Sequence, residues 1–335
     1  MRNWLLRMWV LCVGVGTWSM SAGCQPEVKA LFEEGEDMTR SVVISPVIML
    51  PPELSGCAVV DGGVLIVEDE AIGSVMLARE IDSRPVALEV VKLERKKRDR
   101  APYAPKSKLF PVQDFEDIAS NGADEVFFIG SHNGKGGERR PDREFLLRAV
   151  WEQKSSELKV SGENYNLLEQ INPALRALGC DIGLSTVDVD EVLNIEGLAL
   201  HDGRLYIGFR APLTPEKKAI VLHAPVGELL DAQGRPEPVA VVLELDGGGI
   251  RALDWDPKRE QLLIVSGPSR DGDTAPAALW QCDQSGDNLQ KILVFDEAIA
   301  RKHPEGVCRL PDGRLLIVLD GEERASGSEV VILED

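Results

Sequence analysis

Ile195-Glu196-Gly197-Leu198-Ala199, a turn at Asp202-Gly203 and then Leu205-Tyr206-Ile207-Gly208 make up a phrase whose return elsewhere decides the fold of this 335-residue chain. It recurs as Leu54-Ser55-Gly56 before Val64-Leu65-Ile66-Val67, and as Phe115-Glu116-Asp117 before Val126-Phe127-Phe128-Ile129. It recurs again as Ile250-Arg251-Ala252 before Leu262-Leu263-Ile264-Val265, and as Pro304-Glu305-Gly306 before Leu315-Leu316-Ile317-Val318. Asp-Gly or Asn-Gly pairs stand between the two runs at Asp61-Gly62, Asn121-Gly122, Asp202-Gly203 and Asp312-Gly313, which is a strong hairpin signal. Strand-turn-strand units recurring in this way are the signature of a β-propeller, whose blades place matching positions around one central channel.

Working outward, Gly197–Leu200, Leu205–Phe209, Ala219–His223 and Val239–Leu245 read as four strands of one blade. Ile250–Trp255, Gln261–Ser266, Ala277–Cys282 and Leu289–Phe295 read as the next, with Asp256-Pro257 at the turn. The last repeat offers three strands before the chain ends, while an unpaired apolar stretch, Ser41–Leu50, waits ahead of the first. Mixing the termini in one blade removes exposed edges, so Ser41–Leu50 is expected to complete the final blade. The expectation is one all-β propeller over residues 41–335, with five four-stranded blades. Six is the alternative, because Glu116 and Glu196 are 80 residues apart whereas the next two spacings are 55 and 54. Part of that interval, about residues 163–182, reads as a helical insertion: Leu167, Leu168, Ile171, Leu175 and Leu178 fall at helical spacing within Tyr165–Leu178. Pro173 predicts a kink or two short helices. The basic, Pro-rich stretch Arg95–Lys108 is expected to be an exposed loop.

Residues 1–23 read as an export signal: Arg2 and Arg7 precede or flank a short apolar run, followed by small residues up to Gly23. Ser21-Ala22-Gly23-Cys24 resembles the bacterial lipobox, which implies a lipid on Cys24 and a tether over 24–40; an ordinary cleavage after Gly23 is the alternative. The expected location is the periplasm or cell exterior, with membrane attachment only through that lipid. The formal charge is −19, and the loss of Arg2 and Arg7 makes it more negative, which argues against a nucleic-acid partner. Cys57, Cys180, Cys282 and Cys308 allow two disulfides in any of three pairings, or four buried thiols. No CxxC pair, Gly-x-Ser-x-Gly elbow, Walker loop or dinucleotide fingerprint occurs.

Aligning the repeats puts Ser55, Glu116, Glu196, Arg251 and Glu305 at one equivalent position, with Asp117 beside Glu116, and so around one channel mouth. The three glutamates suit a hard cation such as Ca²⁺. Alternatively, Arg251 neutralises the ring, and inward carboxylates bind backbone amides of neighbouring blades. The ends of the second strands add His132, Arg210, Ser266 and Asp320 to one rim, where His132 is a candidate general base and Arg210 a candidate anion contact.

Leu193-Asn194-Ile195-Glu196-Gly197-Leu198-Ala199 with Gly208-Phe209-Arg210-Ala211-Pro212 resembles the domain of unknown function 3616 family, an uncharacterised bacterial propeller family. Asp114-Phe115-Glu116-Asp117, Ile129-Gly130-Ser131-His132, Gly249-Ile250-Arg251 and Ser266-Gly267-Pro268 support the resemblance, which spans roughly Leu54–Asp320. It implies the fold and leaves the activity open. Two readings follow. In the first, a monomeric exported propeller binds a small molecule or protein at its channel mouth. In the second, Glu116, Glu196 and Glu305 hold Ca²⁺ for hydrolysis of an ester, lactone or phosphoester, with His132 as base and Arg210 or Arg251 steadying negative charge.

Overall fold

A computed structural model describes the backbone of residues 42–48 and, with side chains, residues 53–69, 74–82, 86–94, 112–134, 140–180, 182, 193–270, 272–320 and 329–333. The expected leader, Cys24, the tether and Arg95–Lys108 lie outside these residues.

β1 (Val42–Ile48) precedes a first antiparallel set formed by β2 (Leu54–Val60), β3 (Gly63–Glu68), β4 (Ser74–Ala78) and β5 (Val86–Glu94). The second set is β6 (Phe115–Ser120), β7 (Glu125–Gly130), β8 (Leu146–Glu152) and β9 (Glu157–Asn164). After helix α1 (Leu167–Ala177) comes the third, β10 (Asn194–His201), β11 (Arg204–Ala211), β12 (Ala219–Pro225) and β13 (Val239–Leu243), with the short α2 (Val226–Leu230) inside it. β14 (Gly249–Asp256), β15 (Gln261–Gly267), β16 (Ala278–Cys282) and β17 (Gln290–Val294) form the fourth. Beyond α3 (Glu297–Ala300), β18 (Pro304–Arg309), β19 (Leu315–Leu319) and β20 (Glu329–Leu333) pair in order, and β1 adds to β20 from Val42↔Leu333 to Pro46↔Glu329. The N-terminal strand therefore closes the last set.

The first strands of the sets touch in a closed cycle: β2 on β6, β6 on β10, β10 on β14, β14 on β18, and β18 on β2. Hydrophobic clusters fill the gaps between consecutive sets. Leu65, Val67, Phe115 and Phe128 lie between the first two, and Phe127, Ile129, Ile207 and Phe209 between the second and third. Tyr206 and Leu253 bridge the third and fourth, Val265 and Ile317 the fourth and fifth, and Ile66 and Val318 the fifth and first. This explains why the second strands read as unbroken apolar runs: a strand with a neighbouring sheet on each face buries consecutive residues on both sides, so the alternation of a one-sided sheet is lost. At Asp202–Gly203 both turn residues are left-handed (φ 47° and 68°), the geometry that Asp-Gly supplies to a tight hairpin.

The 80-residue interval holds β8 and β9 of the second set and then α1. α1 is one continuous helix of 11 residues, not a broken pair, although Pro173 lies inside it. Proline removes one helical hydrogen bond, but Leu167, Leu168, Ile171 and Leu175 are all buried in the core between the second and third sets. Buried polar groups fix its register. Asn164 Nδ2 donates to Gln170 Oε1 at 2.7 Å and to the Leu229 carbonyl at 2.6 Å, and Gln170 Nε2 donates to the Asp231 carbonyl at 2.6 Å.

Candidate functional site at the channel mouth

In every set the register slips by one residue near the start of the first strand. Leu54 faces Glu68 but Gly56 faces Val67, so Ser55 is the extra residue. In the same way Glu116 is skipped between Phe115 and Asp117, Glu196 between Ile195 and Gly197, Arg251 between Ile250 and Ala252, and Glu305 between Pro304 and Gly306. The five residues aligned from sequence are thus the five β-bulge residues. A bulge leaves its extra residue out of the ladder and re-aims its side chain, and here the cycle of strands turns all five toward one end of the channel.

Arg251 is the hub. Its Nε lies 3.1 Å from Glu196 Oε2, and its Nη2 pairs with Glu305 Oε1. Arg251 and Glu196 side chains are each only 5% exposed, so the pair is buried and its members depend on one another. Glu196 Oε1 also accepts from Arg210 Nη1 at 3.0 Å and from Asn194 Nδ2 at 2.6 Å. Burial pushes the Arg251 pKa down, with Glu196 pulling the other way. Arg210 sits in a second bulge, skipped between Phe209 and Ala211, and its Nε donates to the Pro268 carbonyl at 3.2 Å.

The opposite arc is carboxylic. Half-buried Glu116 shares a hydrogen bond with Asp114, and burial, then the charges of Asp114 and Glu196, hold its pKa well above the usual carboxylate range. Asp114 accepts from Ser131 Oγ and lies 3.1 Å from Arg143 Nη1; burial still raises its pKa. Asp69 hydrogen-bonds Glu53, and burial with that bond pushes it up to about 8. Asp320 adds a further negative charge toward Asp69. Among the described residues, seven carboxyl groups, Glu53, Asp69, Asp114, Glu116, Glu196, Glu305 and Asp320, thus meet three guanidiniums, those of Arg143, Arg210 and Arg251.

The remaining candidates have other surroundings. Ser55 donates its hydroxyl to the Phe115 carbonyl, a bond between the first and second sets. Asp117 lies deeper and is fully buried: Oδ1 accepts from the Ile118 amide at 2.8 Å, and Oδ2 from Leu198 and Leu253 amides at 2.7 and 3.2 Å. One carboxylate thereby joins the second, third and fourth sets. Its place in the repeat is taken elsewhere by Gly56, Gly197, Ala252 and Gly306. A Cβ on Gly56 would stand 2.5 Å from Asp117 Oδ1, so small neighbours make room for the one large side chain. His132 is buried with left-handed backbone (φ 57°), and its Nδ1 is 2.8 Å from the Gly130 carbonyl. A carbonyl only accepts, so Nδ1 carries the proton. Ser266 accepts from Trp280 Nε1 at 2.8 Å and serves the fourth set's interior.

Sequence reasoning missed Glu53, Asp69, Asp114 and Arg143. A signal existed for three of them. Glu53 and Asp114 immediately precede the first residue of their repeats, and Asp69 follows the partner of that residue, as Ser131 and Asp320 do. Arg143 lies in the connection between β7 and β8, which is longer than the equivalent connections of the other sets and lies outside the repeated phrase.

Two of the three expected calcium ligands, Glu196 and Glu305, are held by Arg251, and among the described residues no group of three or more His, Cys, Asp or Glu side chains is arranged to hold a metal ion. The arrangement is that of a β-propeller with a carboxyl-rich, ion-paired ring at one channel mouth. The family described as "Protein of unknown function (DUF3616)" matches residues 152–334, and the chain belongs to it. No curated protein is significantly similar. Similar solved structures include a putative oxidoreductase (glucose dehydrogenase) from Thermus thermophilus, with 14% identity and a TM-score of 0.40 over 88% of this chain and 100% of that one. An exo-β-1,3-galactanase from Phanerochaete chrysosporium has 7% identity and a TM-score of 0.49, over 87% of this chain and 64% of that one. A streptogramin B lyase has 10% identity and a TM-score of 0.39, over 88% and 97%. Among the described residues no helix is long and apolar enough to cross a membrane.

Proposed function

We propose that this protein is a ligand-binding propeller whose channel mouth takes a small cationic molecule, an organic amine. The observation that carries this reading is the surplus of carboxyl groups among the described residues of the mouth, with Glu116, Asp114 and Asp69 held toward their protonated forms. Burial resists their ionisation. An ammonium group entering the ring would supply the opposite charge they lack, so binding would ionise them and release protons. Arg251 and Arg210 keep Glu196 fixed meanwhile, giving a preorganised wall rather than a floppy acidic patch. Hydrolysis through Ca²⁺ is the competing reading; there the ion would have to draw Glu196 and Glu305 away from Arg251. The leader-like residues 1–23 and the lipobox-like Ser21–Cys24 support an exported protein tethered through Cys24.

Calorimetric titration of the purified protein with putrescine, Ca²⁺ and glucose, in two buffers of different ionisation enthalpy, tests this. The expected result is putrescine binding with proton release and affinity rising from pH 6 to 8, weakened at least about tenfold in Glu116→Gln. Binding of Ca²⁺ but not putrescine would replace the amine reading with the metal reading, and glucose binding without proton uptake or release would also overturn it. Silence of all three probes would remove the proposed site.

A further inference from the structure

We propose that Cys57 and Cys308 are a disulfide-forming pair that locks the seam where the propeller ring closes. Both lie in the single core cluster between the first and fifth sets, on the adjacent strands β2 and β18. The backbones approach closely there: a Cβ built on Gly306 would stand 3.0 Å from the Gly56 Cα, and Cys57 follows Gly56 directly while Cys308 is two residues beyond Gly306. Each thiol lies near enough to the other to influence its ionisation. A bridge needs Cα atoms roughly 4.4–6.8 Å apart, and among the described cysteines only this pair shares a core cluster on contacting strands.

The other described cysteines have no such neighbour. Cys180 is in the core between the second and third sets and Cys282 in that between the third and fourth. All four are buried free thiols in the structure; on oxidation the fold would allow the Cys57–Cys308 bond and leave Cys180 and Cys282 as thiols.

The bond would join residues 251 positions apart, at the junction otherwise closed by β1 and by packing. Burial raises both thiol pKa values, so the folded pair is a poor nucleophile, and the bond forms while the seam is still open to solvent. The chemistry is thiol–disulfide exchange with a small-molecule disulfide. One deprotonated cysteine attacks the oxidant and expels one of its thiols, and the second cysteine then displaces the other half. Two protein thiols lose two protons and two electrons; one oxidant disulfide becomes two thiols.

The test is to refold the purified chain from denaturant with reduced and oxidised glutathione, or with excess dithiothreitol, and then count thiols and map unreduced peptides. The expected product under oxidation has two fewer thiols, a Cys57–Cys308 peptide, and unfolding at least about tenfold slower than the reduced form. The variant Cys180→Ala/Cys282→Ala should keep this redox difference and Cys57→Ala/Cys308→Ala should lose it. Full retention of thiols in the oxidised wild type, or a bond mapped to any other cysteine, overturns the proposal.

Discussion

The channel mouth and the layer just beneath it use the same side chains in opposite ways. At the mouth, Glu116 and Glu196 meet other side chains: a neighbouring carboxyl, two guanidiniums and an amide. One residue deeper, Asp117 meets backbone amides on three sets, and three residues past the bulge of the fourth set Asp254 accepts from the Arg309 amide at 2.9 Å, tying the fourth set to the fifth. A carboxyl partner such as Asp114 beside Glu116 can turn toward a ligand, while the buried Arg251–Glu196 pair stays in place. Backbone amides fixed in a ladder cannot move, and losing their acceptor would leave buried donors unsatisfied. Adjacent acids in the chain thus divide into a group that can respond and a group that holds the ring. The far end of the channel differs again. There the hairpin turns surround a cavity of about 570 Å³, in which Trp255, stacked on His201 at 3.6 Å, forms part of the wall and Asp254 also lines the space.

This contrast predicts the ranking of substitutions. Asp117→Ala should have the largest effect, about 3–5 kcal/mol of lost stability in urea unfolding, because it strips acceptors from several buried amides at once. A loss below about 1 kcal/mol would show that Asp117 does not clasp the ring.

A pH series separates the two layers. Asp69 at the mouth titrates at about 8 and Asp254 beneath at about 7, against 3.8 for an ordinary aspartate. Both folded pKa values lie above the unfolded ones, so between pH 4 and these values the native state holds protons that the unfolded chain has released. Stability should therefore fall as pH rises through that window, by up to about 1.4 kcal/mol per pH unit for each group. Asp254→Asn should flatten the fall up to about pH 7, and Asp69→Asn up to about pH 8. If neither changes the slope, the protons belong elsewhere.

The smallest effect is expected at the ring's one neutral member. Ser55→Ala removes a hydrogen bond to the Phe115 carbonyl and should cost about 1 kcal/mol, with ligand affinity unchanged. A tenfold loss of putrescine affinity there would place Ser55 in the binding site instead.

Much of the fold was legible because its signals are local. The Asp202–Gly203 turn, the apolar run Leu262–Val265 and the helical spacing of Leu167, Ile171 and Leu175 each express a short-range preference, and the repeat multiplies them. The Ser55, Glu116, Glu196, Arg251 and Glu305 alignment was legible for the same reason. Its cause, a bulge at each position, was not, because a slip of register shows only when the second strand is paired. Arg143 was invisible: it reaches Asp114 from a long connection outside the repeated phrase.

The sequence by itself determined the repeating unit, the strands within it and the residues that occupy its equivalent positions, since turn chemistry and apolar runs act over a few residues. Only the tertiary structure decided what those residues do. Glu116 and Asp117 are neighbours of like chemistry, and which partners each carboxyl meets depends on strands 80 or more positions away. Desolvation and partner geometry are properties of the closed ring, and they come into being only when the sets meet.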